Sequence, residues 1–328
     1  MMKKLLTNLA VLAALGAQGS AFAQAPARWD LPSGYSANTF QVQNLTQFAD
    51  GVDKATSGKL KITVHPNASL FKANEIKRAV QSGQTQAGEF ILSLSSNEAP
   101  VFGVDSIPFL ATSYADSKRL DTASRELLVK TLAAQGIKLL YTVPWPPQSL
   151  YSKKAVTTLA DLKGTKMRAY NPATAFIATS VGAQPVTIQL AELPAALATG
   201  GIDNFLTSTS SGIDSKLYES VKFFYDVNAW LPRNAVVVNQ KSFDALDKAS
   251  QDAVLQQAAT AETRGWQLSE KSNADNLKEL SAKGMKIDTV VGESLKKELK
   301  PIGDTMTADW LKLAGADGKA MIDAYNKK

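Results

Sequence analysis

From Ser250 to Lys283 the sequence contains no proline and a single glycine, Gly265. Breakers are that sparse only where a helix can run on without interruption. At 1.5 Å per residue the stretch predicts one helix of roughly 50 Å. That length exceeds the width of one small lobe, so the helix is expected to act as a strut across two.

The chain before the strut alternates β-type and helix-type runs, which gives an α/β fold class. Ala27 to Leu31 reads as a strand, Thr39 to Ser57 as an amphipathic helix and Lys59 to His65 as a second strand. Ala73 to Ser82 is helical and stops at Gly83, Glu89 to Leu94 is a buried strand, and Val101 to Leu110 is irregular and apolar. Asp116 to Gln135 is helical and Lys138 to Val143 a strand. The loop Pro144-Trp145-Pro146-Pro147-Gln148 then stiffens the backbone with three prolines. A second α/β set follows, with strands at Thr165 to Tyr170, Gln184 to Ile188, Ile202 to Thr207, Lys222 to Val227 and Ala235 to Val238. Its helices are Ala173 to Val181 and Ala191 to Thr199. Two α/β sets joined by a stiff crossover imply a cleft, with one lobe formed by 24–144 and 235–272 and the other by 145–234 and 273–328. Ligands of open α/β sheets sit beyond the carboxyl ends of strands. This rule selects the loops after Leu31, Val143, Tyr170 and Thr207.

The first residues have the form of a secretion leader. Lys3 and Lys4 precede the apolar stretch Leu5 to Ala17, and Ala21-Phe22-Ala23 supplies a small-x-small cleavage pattern. The apolar core is short of the ~20 residues that span a bilayer. The chain beyond about Gln24 is therefore expected to be soluble and periplasmic. With 36 basic and 30 acidic side chains the formal charge is +6, too small and too scattered for a nucleic-acid partner. Cysteine is absent and His65 is the one histidine. A His/Cys metal site and a Cys-His nucleophile pair are thereby excluded, and any Ser-His pair would need His65. His65, at a strand end before Pro66, reads as a turn residue. There is no GxxxxGK[ST] or GxGxxG loop. No cofactor or metal is expected, nothing requires more than a monomer, and the chain reads as a binding protein rather than an enzyme. A secreted hydrolase is the alternative from another class.

Within Lys166-Met167-Arg168-Ala169-Tyr170, alternation puts Lys166, Arg168 and Tyr170 on one side of a strand. An arginine there presents a planar fork that matches a carboxylate. It serves either a ligand or an internal ion pair, with Asp161 or Asp203 as partner. Trp145, Tyr170 and Trp230 offer apolar walls to a ligand or pack in the core. Asn171 bonds a ligand or starts a helix. Tyr35 and Asn38 are placed to close from the other lobe. Glu89 is either paired in the core or open to a ligand hydroxyl.

Several segments resemble one family. Leu162-Lys163-Gly164-Thr165-Lys166-Met167-Arg168 resembles the DLKGxKxR signature of substrate-binding proteins of TRAP (tripartite ATP-independent periplasmic) transporters. In the same order, His65-Pro66-Asn67-Ala68-Ser69-Leu70, Ile107-Pro108-Phe109-Leu110, Ala183-Gln184-Pro185-Val186 and Ala198-Thr199-Gly200-Gly201-Ile202-Asp203 are similar to family segments. The resemblance implies a two-lobed periplasmic binding protein that closes on an organic carboxylate held by Arg168. It also implies membrane permease subunits as partners, or a membrane sensor as an alternative. Two departures matter. Where many members have a second arginine, this chain has Gln148, whose neutral amide points to a monocarboxylate, with an aromatic or branched body. Where many have an asparagine, the segment is Asn204-Phe205-Leu206-Thr207-Ser208, so a hydroxyl of Thr207 or Ser208 is expected to take that role.

Overall fold

The structure, a computed structural model, describes residues 26–327; the expected leader over 1–23 lies outside the described residues. In chain order the elements are β1 (Ala27–Pro32), α1 (Phe40–Ala55), β2 (Leu60–His65), α2 (Ile76–Ser82), β3 (Ala87–Ile91), α3 (Tyr114–Ala134) and β4 (Ile137–Pro144). Next come β5 (Ser149–Ser152), β6 (Lys166–Ala169), α4 (Pro172–Ser180), β7 (Gln184–Thr187), α5 (Leu193–Ala198), β8 (Asn204–Thr207), α6 (Thr209–Asp214) and β9 (Phe223–Tyr225). The chain ends with β10 (Arg233–Asn239), α7 (Gln240–Asp244), α8 (Lys248–Ala282), β11 (Lys286–Asp288) and α9 (Thr289–Asn326). The short elements β5, α6 and β11 were not legible in the sequence, because three to six residues do not display a period.

The first lobe is built on two small sheets and the second on one six-stranded sheet. In the first, β1 pairs parallel with β2, and β10 lies antiparallel between β3 and β4. A parallel bridge from Ser33 to Glu89 joins the two parts. β10 is buried on both faces: Val236 and Val238 enter the core with Phe48, Tyr141 and Val254, while Ala235 and Val237 face Phe90, Leu128 and Ile137. This is the period of two expected of a strand with helices on each side. In the second lobe the strand order is β11-β9-β5-β8-β6-β7. One face packs Met167, Ile177 and Leu206 under Leu295 of α9, and the other stacks Tyr151 on Phe205 with their ring centroids 5.1 Å apart.

The chain crosses between lobes through 145–148 and 226–232. These two crossings hydrogen-bond to one another. Trp145 N donates to Pro232 O at 2.8 Å, Gln148 N to Trp230 O at 2.8 Å and Ala229 N to Gln148 O at 2.8 Å. The prolines of the first crossing fix φ and remove competing donors, so the pair forms a stiff two-strand hinge.

The long helix of the sequence reading is α8, 35 residues capped by Asp247, whose side chain accepts from Ser250 N. Its first half lies on α1 and β4, its second on α6 and β11. Gly265 is not a break. A Cβ there would lie 2.5 Å from Val143 Cγ2 and 2.9 Å from Asn44 Nδ2, so glycine lets the helix backbone rest on β4. The second long helix, α9, is bent at Gly315, which has φ +58°. Trp310 before the bend and Tyr325 after it join one cluster with Val104, Ile107 and Leu120 of the first lobe. Trp310 Nε1 donates to Pro100 O and Tyr325 Oη to Leu110 O, both at 2.7 Å. The division by sequence puts 273–328 with the second lobe. In the structure the end of α9 packs on α3 and the 100–106 turn, because both sides of the bend face that cluster.

Gly265→Ala tests the close approach of α8. Overpacking costs about 1–3 kcal/mol, and the gain in helix propensity, about 1 kcal/mol, returns only part of it. The expected result is a thermal midpoint lowered by a few degrees in calorimetry; a raised midpoint would show that the helix can shift freely off β4.

Candidate functional site

Between the lobes, beside the hinge, lies a partly open cavity of about 40 Å³. All four strand ends selected from the sequence contribute to it. β1 leads to Gly34 and Tyr35, β4 to Trp145 and Gln148, β6 to Arg168 and Tyr170, and β8 to Thr207 and Ser211. Ile91 at the end of β3, and Gln189 and Leu190 beyond β7, complete the wall with Ala73 and Pro232.

Arg168 dominates the chemistry. Its neighbour Met167 turns into the second-lobe core, so alternation directs Arg168 out of that core. The side chain is 4% exposed. Nε donates to Ile188 O at 2.8 Å, and the guanidinium lies over the Tyr170 ring at 4.9 Å. Nη1 and Nη2 form no hydrogen bond or ion pair with any described residue, Asp161 and Asp203 included. Those two acids are used locally: Asp161 caps the Thr157–Thr158 backbone and Asp203 accepts from Lys166 N. Burial pulls the Arg168 guanidinium down to about 10, partly opposed by Tyr170 and Tyr35, so it stays charged at neutral pH.

Arg233 supplies the contrast. It is 1% exposed, and every nitrogen is used. Nε donates to Asp105 Oδ2 at 3.0 Å, Nη1 to Asp121 Oδ1 at 2.6 Å and Nη2 to Ser124 Oγ at 3.2 Å. A buried charge is ordinarily paired in this way. One arginine is thus finished internally, while the other leaves its fork open beside a cavity.

Other polar atoms around the cavity are equally selective. Gln148 is 3% exposed and its Nε2 donates to Pro146 O at 3.0 Å, which leaves Oε1 without a donor. Thr207 Oγ1 has no hydrogen bond among the described residues. Ser208 does not line the cavity: its Oγ accepts from Ser211 N at 3.1 Å and caps α6. Ser211 stands at the wall in its place. The first-lobe wall is aromatic, with Trp145 edge-on to Tyr35 and Phe40 at centroid distances of 4.9 and 5.6 Å.

A buried relay fixes that wall. Ser33 Oγ donates to Glu89 Oε2 at 2.6 Å, and Asn234 Nδ2 donates to Glu89 Oε1 at 2.9 Å. Asn234 Oδ1 then accepts from Trp145 Nε1 at 2.9 Å and Tyr35 Oη at 3.3 Å. Glu89 is therefore paired in the core. Burial pushes its carboxyl up to about 7, against the hydrogen bonds from Ser33 and Asn234.

Three further sequence candidates sit elsewhere. Trp230 packs in the second-lobe core. Asn38 is exposed and accepts from Ser36 Oγ. Asn171 caps α4, and its Nδ2 donates across the cleft to Ser93 Oγ at 2.8 Å. Gln189, Leu190, Ser211 and Asn234 were missed. For Asn234 a signal existed, since a polar pair, Arg233-Asn234, opens an otherwise apolar strand. Among the described residues no group of three or more His, Cys, Asp or Glu side chains is placed to hold a metal ion.

Residues 33–310 match the family described as bacterial extracellular solute-binding protein, family 7. The chain is similar to DctP6, a Bordetella pertussis extracytoplasmic solute receptor binding pyroglutamic acid, at 53% identity. That match covers 92% of this chain and 100% of the other, with a TM-score of 0.89. A marine metagenome TRAP solute binding protein specific for pyroglutamate is 44% identical, covering 92% and 99%, with a TM-score of 0.90. The 2,3-diketo-L-gulonate-binding periplasmic protein YiaO of Escherichia coli is 29% identical over 70% of this chain and 71% of its own.

The two arginines should respond oppositely to replacement by an apolar side chain of similar length. Arg233→Met strands two buried aspartates and is expected to cost about 3–5 kcal/mol. Arg168→Met removes a charge that no internal group needs, so the thermal midpoint of ligand-free protein should hold or rise. A comparable loss in both variants would contradict the assignment. Glu89 gives a pH test. Its folded value lies above the usual 4.5, so protonation favours the folded state. That contribution is complete below about pH 4.5 and lost as pH rises towards 7. Thermal melts of Glu89→Gln should lack this decline between about pH 4.5 and 7.

Proposed function

Because the chain belongs to family 7 of the bacterial extracellular solute-binding proteins and is a TRAP-type solute receptor, we propose that it captures pyroglutamate, a five-membered lactam with a single carboxylate. The observation that carries this reading is the open fork of Arg168 beside the inter-lobe cavity. A carboxylate there gains two charge-assisted hydrogen bonds, and Thr207 Oγ1 offers a neutral donor beside it. Tyr35, Trp145, Tyr170, Ile91 and Leu190 supply apolar surface for the ring.

The lining also argues against near relatives of that ligand. It contains one cation, so a second carboxylate would be buried without a counterion. It contains no aspartate or glutamate, so the ammonium of proline or glutamate would be stranded in the same way. The lactam nitrogen is neutral and escapes this cost. The identity of 53% and 44% to two pyroglutamate receptors supports the same choice.

In this reading the leader is cleaved near Ala23, and the mature chain works in the periplasm as a monomer. It closes about the hinge at 145–148 and 226–232 and delivers its ligand to the membrane permease subunits of a TRAP transporter. No step alters the ligand.

Isothermal titration of leader-free protein with L-pyroglutamate should give a dissociation constant of about 1 μM or tighter, near −8 kcal/mol. Succinate, L-glutamate and L-proline should give no measurable heat. Arg168→Ala should weaken pyroglutamate by about 2–5 kcal/mol, and Arg168→Lys should not restore it, since a point charge lacks the fork. Undiminished binding by Arg168→Ala, or no binding by the native protein, would sink the proposal.

A further inference from the structure

The polar side chains around the cavity differ in what they still lack. Arg168 Nη1 and Nη2 lack acceptors. Thr207 Oγ1 is a hydroxyl and can serve either way. Tyr35 and Trp145 have spent their donors on Asn234 Oδ1. Gln148 is different: its Nε2 is committed to Pro146 O at 3.0 Å, so the part left over is an amide oxygen, which can only accept. The backbone of Gln148 cannot swing away, because its N and O are both tied to the opposite crossing, to Trp230 O and Ala229 N. Glu89, the buried carboxylate nearest this network, has both oxygens occupied by Ser33 and Asn234. The wall therefore offers a fixed side-chain oxygen that can only accept, Gln148 Oε1, beside the hydroxyls of Thr207 and Tyr170, which can do either.

We propose that Gln148 is a specificity-determining residue that demands a neutral N–H on the ligand, its Oε1 accepting from the ring nitrogen while Arg168 holds the carboxylate. The assignment rests on the pyroglutamate reading and deepens it. Pyroglutamate carries its N–H on the atom next to the carbon that bears the carboxylate, so one small ring answers both the fork and the acceptor. A ligand of the same shape without the N–H leaves Oε1 desolvated and unpaired. Polar sites reject such analogues far more strongly than apolar ones reject a missing methylene. The neutral amide at this position thus does more than omit a second cation; it reads the ring nitrogen.

The test pairs L-pyroglutamate with 3-oxocyclopentane-1-carboxylate, in which a CH₂ replaces the ring N–H and the ketone and carboxylate are kept. Titration calorimetry of the native protein should show the carbocycle bound about tenfold to a hundredfold more weakly. In Gln148→Met the two ligands should bind within about threefold of each other, the loss falling on pyroglutamate alone. Gln148→Leu repeats the comparison should the Met variant fail to fold, and the native comparison stands without either. A purely structural role for Gln148 would weaken both ligands together and preserve their ratio. Equal binding of the two ligands by native protein overturns the assignment, as does an unchanged ratio in a folded variant. If native protein binds pyroglutamate tightly and these ratios fail, only the role of Gln148 falls. If it binds neither ligand, the ligand reading falls and takes this assignment with it.

Discussion

A guanidinium taken out of water without a counterion is the constraint around which this molecule is arranged. Arg168 is held by one backbone carbonyl and one aromatic face, both from its own lobe. Neither neutralises it. Burying such a charge costs several kcal/mol unless an anion meets it, so the closed arrangement is favourable only when the cavity supplies one. Binding and closure are thereby tied together by electrostatics, with no need for a separate trigger.

The rest of the fold supplies rigid surroundings for that event. The two crossings pair backbone to backbone, and α8 lies across both lobes with unlike contacts in each. On the first lobe it is clamped: Arg264 Nε donates to Asn44 Oδ1 at 2.7 Å, Glu262 takes both Arg125 and Thr142, and Gly265 rests on Val143. On the second lobe its partners are small hydroxyls and amides, Thr209 with Asn273 and Ser210 with Ser272 and Asn276. The helix α6 that carries Thr209 and Ser210 also carries Ser211 into the cavity wall. Asn171 and Ser93 meet across the cleft.

The first-lobe wall is fixed by hydrogen bonds within its own lobe. One asparagine oxygen receives both Trp145 and Tyr35, and the same asparagine is oriented by Glu89, which is oriented in turn by Ser33. Groups locked by such a relay lose little freedom on binding, and this is where preorganised sites gain affinity. The polarity of the relay is also why none of its members competes for the ligand: each donor and acceptor in it is already spent.

Local pattern was enough for much of this. The missing breakers from Ser250 to Lys283 fixed the strut, an amphipathic pattern marked α1, and alternation around Met167 put Arg168 on the face away from the core. The carboxyl-end rule chose loops that line the cavity because it depends only on strand direction. Partnership was another matter. Arg168 and Arg233 both sit in short apolar strands, and nothing adjacent separates them. The difference lies in Asp105 and Asp121, which are 128 and 112 residues away from Arg233 in the chain. Glu89 and Asn234 meet over 145 residues, and Ser208 and Ser211 exchange the roles of wall and cap through a helix of only six residues. Short-range sterics and period are written in consecutive residues, so sequence determined the longer elements and the candidate positions. Which buried charge is satisfied and which is left open depends on groups that only the folded chain brings within hydrogen-bonding distance.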